Sequence, residues 1–210
     1  MKVVAFNGSP NGLGNTYQAL RYVGDEIEKA GIEFKIIQVG NKNIRGCMAC
    51  GNCSKSKDEK CIFADSVNEW IQEIKQADGL LLGSPVHWAA MGGTMKSFLD
   101  RAFYVASANG GLFRHKVGAS VVAVRRSGGL PTFEQLNHYI QYAEMFMPTS
   151  NYWNVIHGRV AEEAKQDEEG VQIMRVLGKN MSWLMKVVEL GKIHIPIPEQ
   201  EAKIYTNFVR

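Results

Sequence analysis

The chain has 210 residues, of which 45% are hydrophobic and 21% are charged, a composition typical of an ordinary globular protein. Its formal net charge of +3 is too small to indicate a nucleic-acid partner. We expect one domain over residues 1–210, because this length suits a single core. Met1-Lys2 leads directly into an apolar strand, and the longest uncharged stretch, residues 79–95, contains Gly, Ser, Pro and His. These features predict a cytoplasmic protein with no secretory signal, membrane span or membrane partner.

Short apolar runs and amphipathic segments alternate along the chain. The apolar runs predict strands at residues 3–6, 33–39, 79–83, 117–124 and 152–156. The sequences Ser66-x-x-Glu69 and Thr132-x-x-Gln135 are typical of capping boxes at helix starts. Strands that are apolar on both faces and separated by helices predict an α/β, three-layer, flavodoxin-like fold. We expect a five-stranded parallel sheet in the order 2-1-3-4-5 with helices on both faces, followed by an extended tail over residues 193–210.

The loop after the first strand carries small polar residues where a helix begins. It reads Gly8-Ser9-Pro10-Asn11-Gly12-Leu13-Gly14-Asn15-Thr16. Asn15 stands where a Walker A motif has lysine, and Tyr17 breaks the G-x-G-x-x-G pattern. The hydroxyls of Ser9 and Thr16 and the amides of Asn11 and Asn15 can instead bind a phosphomonoester beside the positive end of the helix. The alternative is a plain strand–helix turn rich in Gly and Asn.

All four cysteines lie within a predicted insertion over residues 44–63, as Cys47-x-x-Cys50-x-x-Cys53 followed by Cys61. Their crowding suggests a reducing compartment and a metal or redox role rather than a disulfide framework. Three thiolates at this spacing can reach three irons of one cubane, whereas zinc sites more often use two separated pairs. A [4Fe–4S] cluster is therefore the favoured metal. The alternatives are a surface dithiol that forms a disulfide, thiols that respond to oxidants, or cysteines without a present role.

The loop after the third strand should lie beside the first loop at the carboxyl end of the sheet. It runs Ser84-Pro85-Val86-His87-Trp88-Ala89-Ala90-Met91-Gly92-Gly93-Thr94. Pro85 fixes the turn, and Gly92 permits a flat ligand to approach the backbone. Trp88 can lie against an aromatic face. The alternatives are that Trp88 and Met91 fill the core or an interface, and that His87 is a packing residue rather than a proton donor.

The loop after the fourth predicted strand, Arg125-Arg126-Ser127-Gly128-Gly129, should face the same ligand. A cation here could stabilise a bound ring that gains negative charge on reduction, bind a nucleotide phosphate, or pair with a surface carboxylate. The aromatic pair Tyr152-Trp153 could cover the ligand or line a substrate pocket, and core packing is an equal alternative for Trp153.

Two of these segments resemble a known family. Ser9-Pro10-x-x-x-Gly14-Asn15-Thr16 resembles the FMN phosphate loop of the flavodoxin-like NAD(P)H-dependent FMN reductases. Gly83-Ser84-Pro85-Val86-x-x-x-x-Met91, followed by Lys96-x-Phe98-Leu99-Asp100-Arg101, resembles their isoalloxazine loop and the helix after it. The family often carries arginine where this chain has Asn11. The resemblance places these residues at an FMN site: Ser9, Pro10, Asn11, Gly14, Asn15, Thr16, Ser84, Pro85, Val86, His87, Trp88, Met91, Gly92, Arg125, Arg126, Ser127, Gly128 and Gly129.

The cysteine run is similar to that of the iron–sulfur flavoproteins, which carry [4Fe–4S] beside FMN in this fold. The resemblance implies an FMN-dependent oxidoreductase that accepts electrons from NAD(P)H or a reduced protein and passes them to a small-molecule or protein acceptor. The chemistry would occur on FMN, without a catalytic side chain. The alternatives are an iron–sulfur flavoprotein that exchanges electrons with ferredoxin, or a thiol-based redox sensor. Electron transfer between FMN and a cluster across a subunit interface would require a homodimer or homotetramer.

Overall fold

A twisted parallel sheet forms the centre of the computed structural model, which describes residues 1–208. Val209 and Arg210, the end of the predicted domain and tail, lie outside the described residues. The strands are β1 (Lys2–Asn7), β2 (Glu33–Gln38), β3 (Gly79–His87), β4 (Ala90–Met91), β5 (Val117–Val124) and β6 (Val155–His157). The helices are α1 (Asn15–Lys29), α2 (Asn52–Ser56), α3 (Ser66–Gln76), α4 (Gly93–Ala108), α5 (Gly129–Tyr142) and α6 (Glu168–His194), with a short 3-10 helix at Glu163–Gln166.

The five parallel strands have the order β2-β1-β3-β5-β6, which confirms the predicted order of a flavodoxin-like sheet. Asn7 pairs with Gly83, and Gly83 pairs with Val121. The carboxyl ends of β1, β3 and β5 therefore lie at the same edge. The prediction lacked β4, a two-residue strand that pairs antiparallel with the end of β3.

Two apolar layers pack against opposite faces of this sheet. Val4 and Phe6 of β1 pack in a core formed with α3, α4 and α5. Val3 and Ala5 point to the other face, where α1 and α6 cover the sheet. This division confirms the three-layer architecture. Within residues 1–208, no helix combines the length and the apolar character that crossing a membrane requires.

The structure corrects several predicted boundaries. Asp65, not Ser66, caps α3, because its carboxylate accepts a hydrogen bond from the Val67 N–H. The second capping box is also wrong, since the N-cap of α5 is the left-handed Gly128, four residues before Thr132. The last predicted strand, residues 152–156, starts three residues too early, because β6 is Val155–His157. Just before it, the Asn154 side chain donates to the Ser120 carbonyl. β3 extends four residues beyond its predicted end, and the tail without regular structure starts after His194.

Candidate functional site

Backbone contacts fix the first loop over the end of the sheet. The Gly8 N–H donates to the Gly83 carbonyl at 2.8 Å, and the Ser9 N–H donates to Asn7 Oδ1 at 3.1 Å. Gln38 Nε2 donates to the Ser9 carbonyl at 2.6 Å. A Cβ at Gly40 would stand only 2.2 Å from the Ser9 carbonyl carbon. The loop is thus held from both neighbouring strands, which preorganises its backbone.

The N-terminus of α1 starts in this loop without a side-chain cap or an acidic residue in its first turn. Its positive end is therefore available to an anion. Thr16 is buried in the first turn, and Ser9 Oγ accepts a hydrogen bond from the Asn11 N–H at 3.1 Å. The Asn15 side chain points elsewhere: its amide nitrogen donates to the Val160 carbonyl at 2.9 Å, and its oxygen accepts from the Ala164 N–H. Asn15 can offer only its backbone to a ligand in this conformation.

The second loop is a tight hairpin between β3 and β4. Trp88 and Ala89 form its turn, with φ values of 54° and 57°. Both lie in the left-handed region, which ordinary side chains rarely occupy. Trp88 is fully exposed and Met91 is buried, so the alternative that Trp88 fills the core is wrong. Ser84, buried at the start of the loop, accepts a hydrogen bond from the Gly92 N–H at 3.1 Å.

The three predicted loops meet at one edge of the sheet. A Cβ at Gly92 would stand 3.2 Å from the Gly8 carbonyl oxygen, so the first two loops are in contact there. Gly128 joins the third loop to the second: its φ is 90°, and a Cβ would stand 2.9 Å from Val86 Cγ1 and 3.0 Å from Ala89 Cα. Side chains are excluded at these contacts. The glycines therefore allow the backbones of the three loops to pack closely together at this edge.

Positive charge is confined to the third loop. Arg125, Arg126 and Ser127 are exposed, while Gly129 is buried. Neither guanidinium forms an ion pair within residues 1–208, so the interpretation that they pair with a surface carboxylate is wrong. The third loop therefore exposes two cations next to the second loop, whereas the first loop carries no charged side chain.

The aromatic pair lies away from this edge. Tyr152 and Trp153 meet edge to face, with ring centroids 4.5 Å apart, and half or more of each side chain is exposed. The alternative that Trp153 packs in the core is therefore wrong. Both residues line a cavity of about 480 Å³ between α5 and the middle of β5, where Ser120 donates to Asn137 Oδ1 at 2.6 Å.

The cysteines are spread through a loop outside α4. Cys47 and Cys50 are exposed, Cys53 is buried in α2, and Cys61 is half-buried, all as free thiols. Burial raises the pKa of the Cys53 thiol. Across the described chain, no three His, Cys, Asp or Glu side chains are placed closely enough to bind a metal ion. The donor set suits an iron–sulfur cluster chemically, but the loop holds its thiols apart in this conformation.

Arg101 is the residue of this region that the sequence analysis did not assign. It lies on the inner face of α4, and its side chain is completely buried. Its guanidinium pairs with both carboxylate oxygens of Asp65, at 2.6 and 2.8 Å. Its Nε donates to Cys61 Sγ at 3.3 Å. Arg101 lies three residues after Phe98 and four before Val105, and this position on the apolar face of the helix was the signal that could have indicated it.

These features define a flavodoxin-like α/β protein in which α1 begins, without a side-chain cap, at the carboxyl edge of the sheet. The chain belongs to the NADPH-dependent FMN reductase family, whose model matches residues 1–159. It is 31% identical over 196 residues to an iron-sulfur flavoprotein of Methanocaldococcus jannaschii, covering 90% of this chain and 100% of the relative. It is 32% identical over 205 residues to an iron-sulfur flavoprotein of Archaeoglobus fulgidus, covering 91% of this chain and 98% of the relative.

Solved structures support the same fold. RosB with bound 8-demethyl-8-formylriboflavin-5′-phosphate superposes with a TM-score of 0.72 at 14% identity, covering 100% of this chain and 94% of RosB. An NAD(P)H:quinone oxidoreductase from Methanothermobacter marburgensis gives a TM-score of 0.61 at 15% identity, covering 86% of this chain and 96% of that one. At these identities the likeness establishes the architecture alone.

Proposed function

We propose that the chain is an FMN-dependent oxidoreductase that takes electrons from NAD(P)H or a reduced protein. It passes them to a small-molecule or protein acceptor. The observation that supports this most directly is the meeting of three loops, two of them joined through Gly128, at the carboxyl ends of β1, β3 and β5. Membership of the FMN reductase family supports the same cofactor. FMN, when bound, supplies hydride acceptance and onward electron transfer.

In this proposal, each loop binds a different part of the cofactor. Ser9, Thr16 and the backbone N–H groups at the start of α1 bind the phosphate through neutral donors. The backbone of residues 85–88 and the bare surface at Gly128 hold the ring. Arg125 and Arg126 supply positive charge either to the ring or to the phosphates of the electron donor. The exposed Trp88 covers the outer face of the site.

A second candidate function is electron exchange with ferredoxin through a [4Fe–4S] cluster on Cys47, Cys50, Cys53 and Cys61. The favouring observation is the hydrogen bond from buried Arg101 to Cys61 Sγ, because N–H donors to sulfur are common around such clusters. We further propose a homodimer or homotetramer in the cytoplasm. Exposed apolar side chains at Trp183, Leu190 and Ile193 of α6 support self-association.

The test is the visible spectrum of protein purified without oxygen and loaded with FMN. We expect a protein-bound flavin that NAD(P)H bleaches rapidly, and we expect iron and sulfide in the same sample. Thr16→Val should weaken FMN binding, whereas Thr206→Val in the exposed tail should not. Failure to bind FMN would refute the proposal. Bound FMN that resists NAD(P)H but is reduced by reduced ferredoxin would favour the electron carrier.

A further inference from the structure

One buried arginine connects both ends of the cysteine segment. The side chain of Arg101 is 0% exposed, and a guanidinium has five N–H donors. All of them are used. Nε donates to Cys61 Sγ, Nη1 donates to the Arg45 carbonyl and to Asp65, and Nη2 donates to the Phe63 carbonyl and to Asp65. Arg45 precedes the first cysteine and Phe63 follows the last, so α4 holds the segment closed from inside.

We propose that Arg101 is the positioning residue of the cysteine segment: it fixes the Cys61 sulfur and ties together the two flanks of the loop. The role of Cys61 as a cluster ligand rests on the proposed iron–sulfur function, whereas the hydrogen bonds of Arg101 do not. Cys61 and the buried Cys53 would then be the ordered ligands, and the exposed Cys47 and Cys50 would close on them when a cluster binds.

Cys61 is held by more hydrogen bonds than the exposed cysteines of the same segment. Its N–H donates to Asn68 Oδ1 at 2.8 Å, and Asn68 Nδ2 donates back to the Cys61 carbonyl at 3.0 Å. Asp65 neutralises the buried guanidinium and also caps α3. Cys47 and Cys50, by contrast, are exposed, and Cys47 Sγ accepts only a local hydrogen bond from the Ala49 N–H. Cys61 and the buried Cys53 are thus attached to the core, whereas Cys47 and Cys50 lie in solvent.

Arginine is required for this arrangement because lysine cannot reproduce it. Lysine offers three donors at a single nitrogen, whereas the five bonds leave Arg101 in three directions within one plane. Arg101→Lys keeps the positive charge but loses the Nε donor to Cys61. Arg45→Lys is the matched control, because the Arg45 side chain stacks at 5.4 Å over Phe63, the same ring that Arg101 covers, without holding Cys61.

Hydrogen–deuterium exchange of the metal-free protein tests the positioning role without any cofactor. In Arg101→Lys, amides of residues 59–65 should exchange at least about tenfold faster, the factor expected when a charge-assisted hydrogen bond is lost from a local opening equilibrium. Exchange in α6 should not change. Arg45→Lys should behave as wild type. Unchanged exchange in Arg101→Lys, or equal acceleration in Arg45→Lys, overturns the proposal.

Asp65→Asn covers the case in which Arg101→Lys loosens the whole fold. Asparagine still caps α3, so the variant should fold, while the guanidinium loses its charged partner. We expect faster exchange in residues 59–65 alone, by a smaller factor than in Arg101→Lys. Wild-type exchange in this variant would overturn the proposal.

The reduction potential of the cluster separates a hydrogen bond to sulfur from a purely structural anchor. Loss of an N–H donor to a ligand sulfur lowers the potential, so Arg101→Lys should shift it downward, and Arg45→Lys should leave it in place. An equal potential in wild type and Arg101→Lys would overturn the sulfur contact. Wild-type protein without iron would refute the cluster itself, and the exchange experiment would still decide the role of Arg101.

Discussion

Replacing Gly40 by alanine should displace the first loop from a position outside the candidate site. The new Cβ would stand 2.2 Å from the Ser9 carbonyl carbon and 2.3 Å from the Gly8 carbonyl oxygen. Both are backbone atoms, so no flexible side chain can move aside. Non-bonded carbon atoms settle about 3.5–4.0 Å apart, so the loop must move by about 1 Å or more.

That displacement strains the hydrogen bonds that fix the loop, from Gly8 N–H to Gly83 and from Gln38 Nε2 to Ser9. Overpacking costs about 1–3 kcal/mol, and weakening the two hydrogen bonds adds about 0.5 kcal/mol each, so we expect a loss of roughly 2–4 kcal/mol in the free energy of unfolding. The protein should remain folded, because domains of this size commonly have about 5–15 kcal/mol. FMN affinity should fall by at least about tenfold, since the phosphate donors move with the loop.

Urea denaturation of the cofactor-free protein measures the free energy of unfolding, and quenching of flavin fluorescence on binding measures the FMN affinity. Gly93→Ala is the control, because nothing lies within 4 Å of its Cβ position although it is next to the second loop. We expect that variant to stay within about 0.5 kcal/mol of wild type. Wild-type stability and FMN affinity in Gly40→Ala would show that the first loop does not hold the cofactor through this geometry.

Three further predictions concern the scaffold. Burial and a hydrogen bond to Asp100 raise the pKa of Tyr139 to about 12. The free energy of unfolding should therefore fall as the pH rises from 10 toward 12, and it should fall less in Tyr139→Phe. Urea denaturation at each pH measures both. Burial alone would raise the pKa of Asp167, but hydrogen bonds from the Gly170 and His157 N–H groups lower it. Asp167→Ala should therefore cost about 1–2 kcal/mol near neutral pH, a deficit that shrinks in urea titrations as the pH drops below 3.8 and wild-type Asp167 is protonated. Gly191→Ala, in α6 with nothing within 4 Å, should raise the melting temperature, because alanine favours a helix by up to about 1 kcal/mol.

The sheet order could be predicted because its information is local. Each buried strand is a continuous apolar run, and each crossover contains a helix with its own apolar stripe, so few topologies remain. β4 could not be predicted for the opposite reason. It has two residues, and its turn uses Trp88 and Ala89 in the left-handed region instead of the Asn-Gly or Asp-Gly pairs that indicate such hairpins.

The site residues divide in the same way. The neighbouring positions of the three loops follow from strand order, whereas the direction of each side chain depends on distant contacts. Asn15 is the clear case: its sequence position suggests a phosphate donor, but residues 160–164 occupy both ends of its amide. Nothing within ten residues of Asn15 could have indicated that partner. The cap of α3 was misplaced by one residue, because Asp65 and Ser66 are both good N-cap residues. The sequence could not show that Asp65 also pairs with the distant Arg101.

α4 connects the two candidate redox sites within one subunit. The helix begins at Gly93, directly after the second loop, and Arg101 lies eight residues later, about 12 Å along the axis. The hydrogen bond from the Gly92 N–H to Ser84 thus attaches one loop to the start of the helix, and the hydrogen bond from Arg101 to Cys61 attaches the other to its middle. Because the helix is buried between α3 and α5, neither loop can shift far without moving the core. The relative placement of the flavin loop and Cys61 is therefore a property of the core, whereas that of Cys47 and Cys50 depends on the exposed half of the segment.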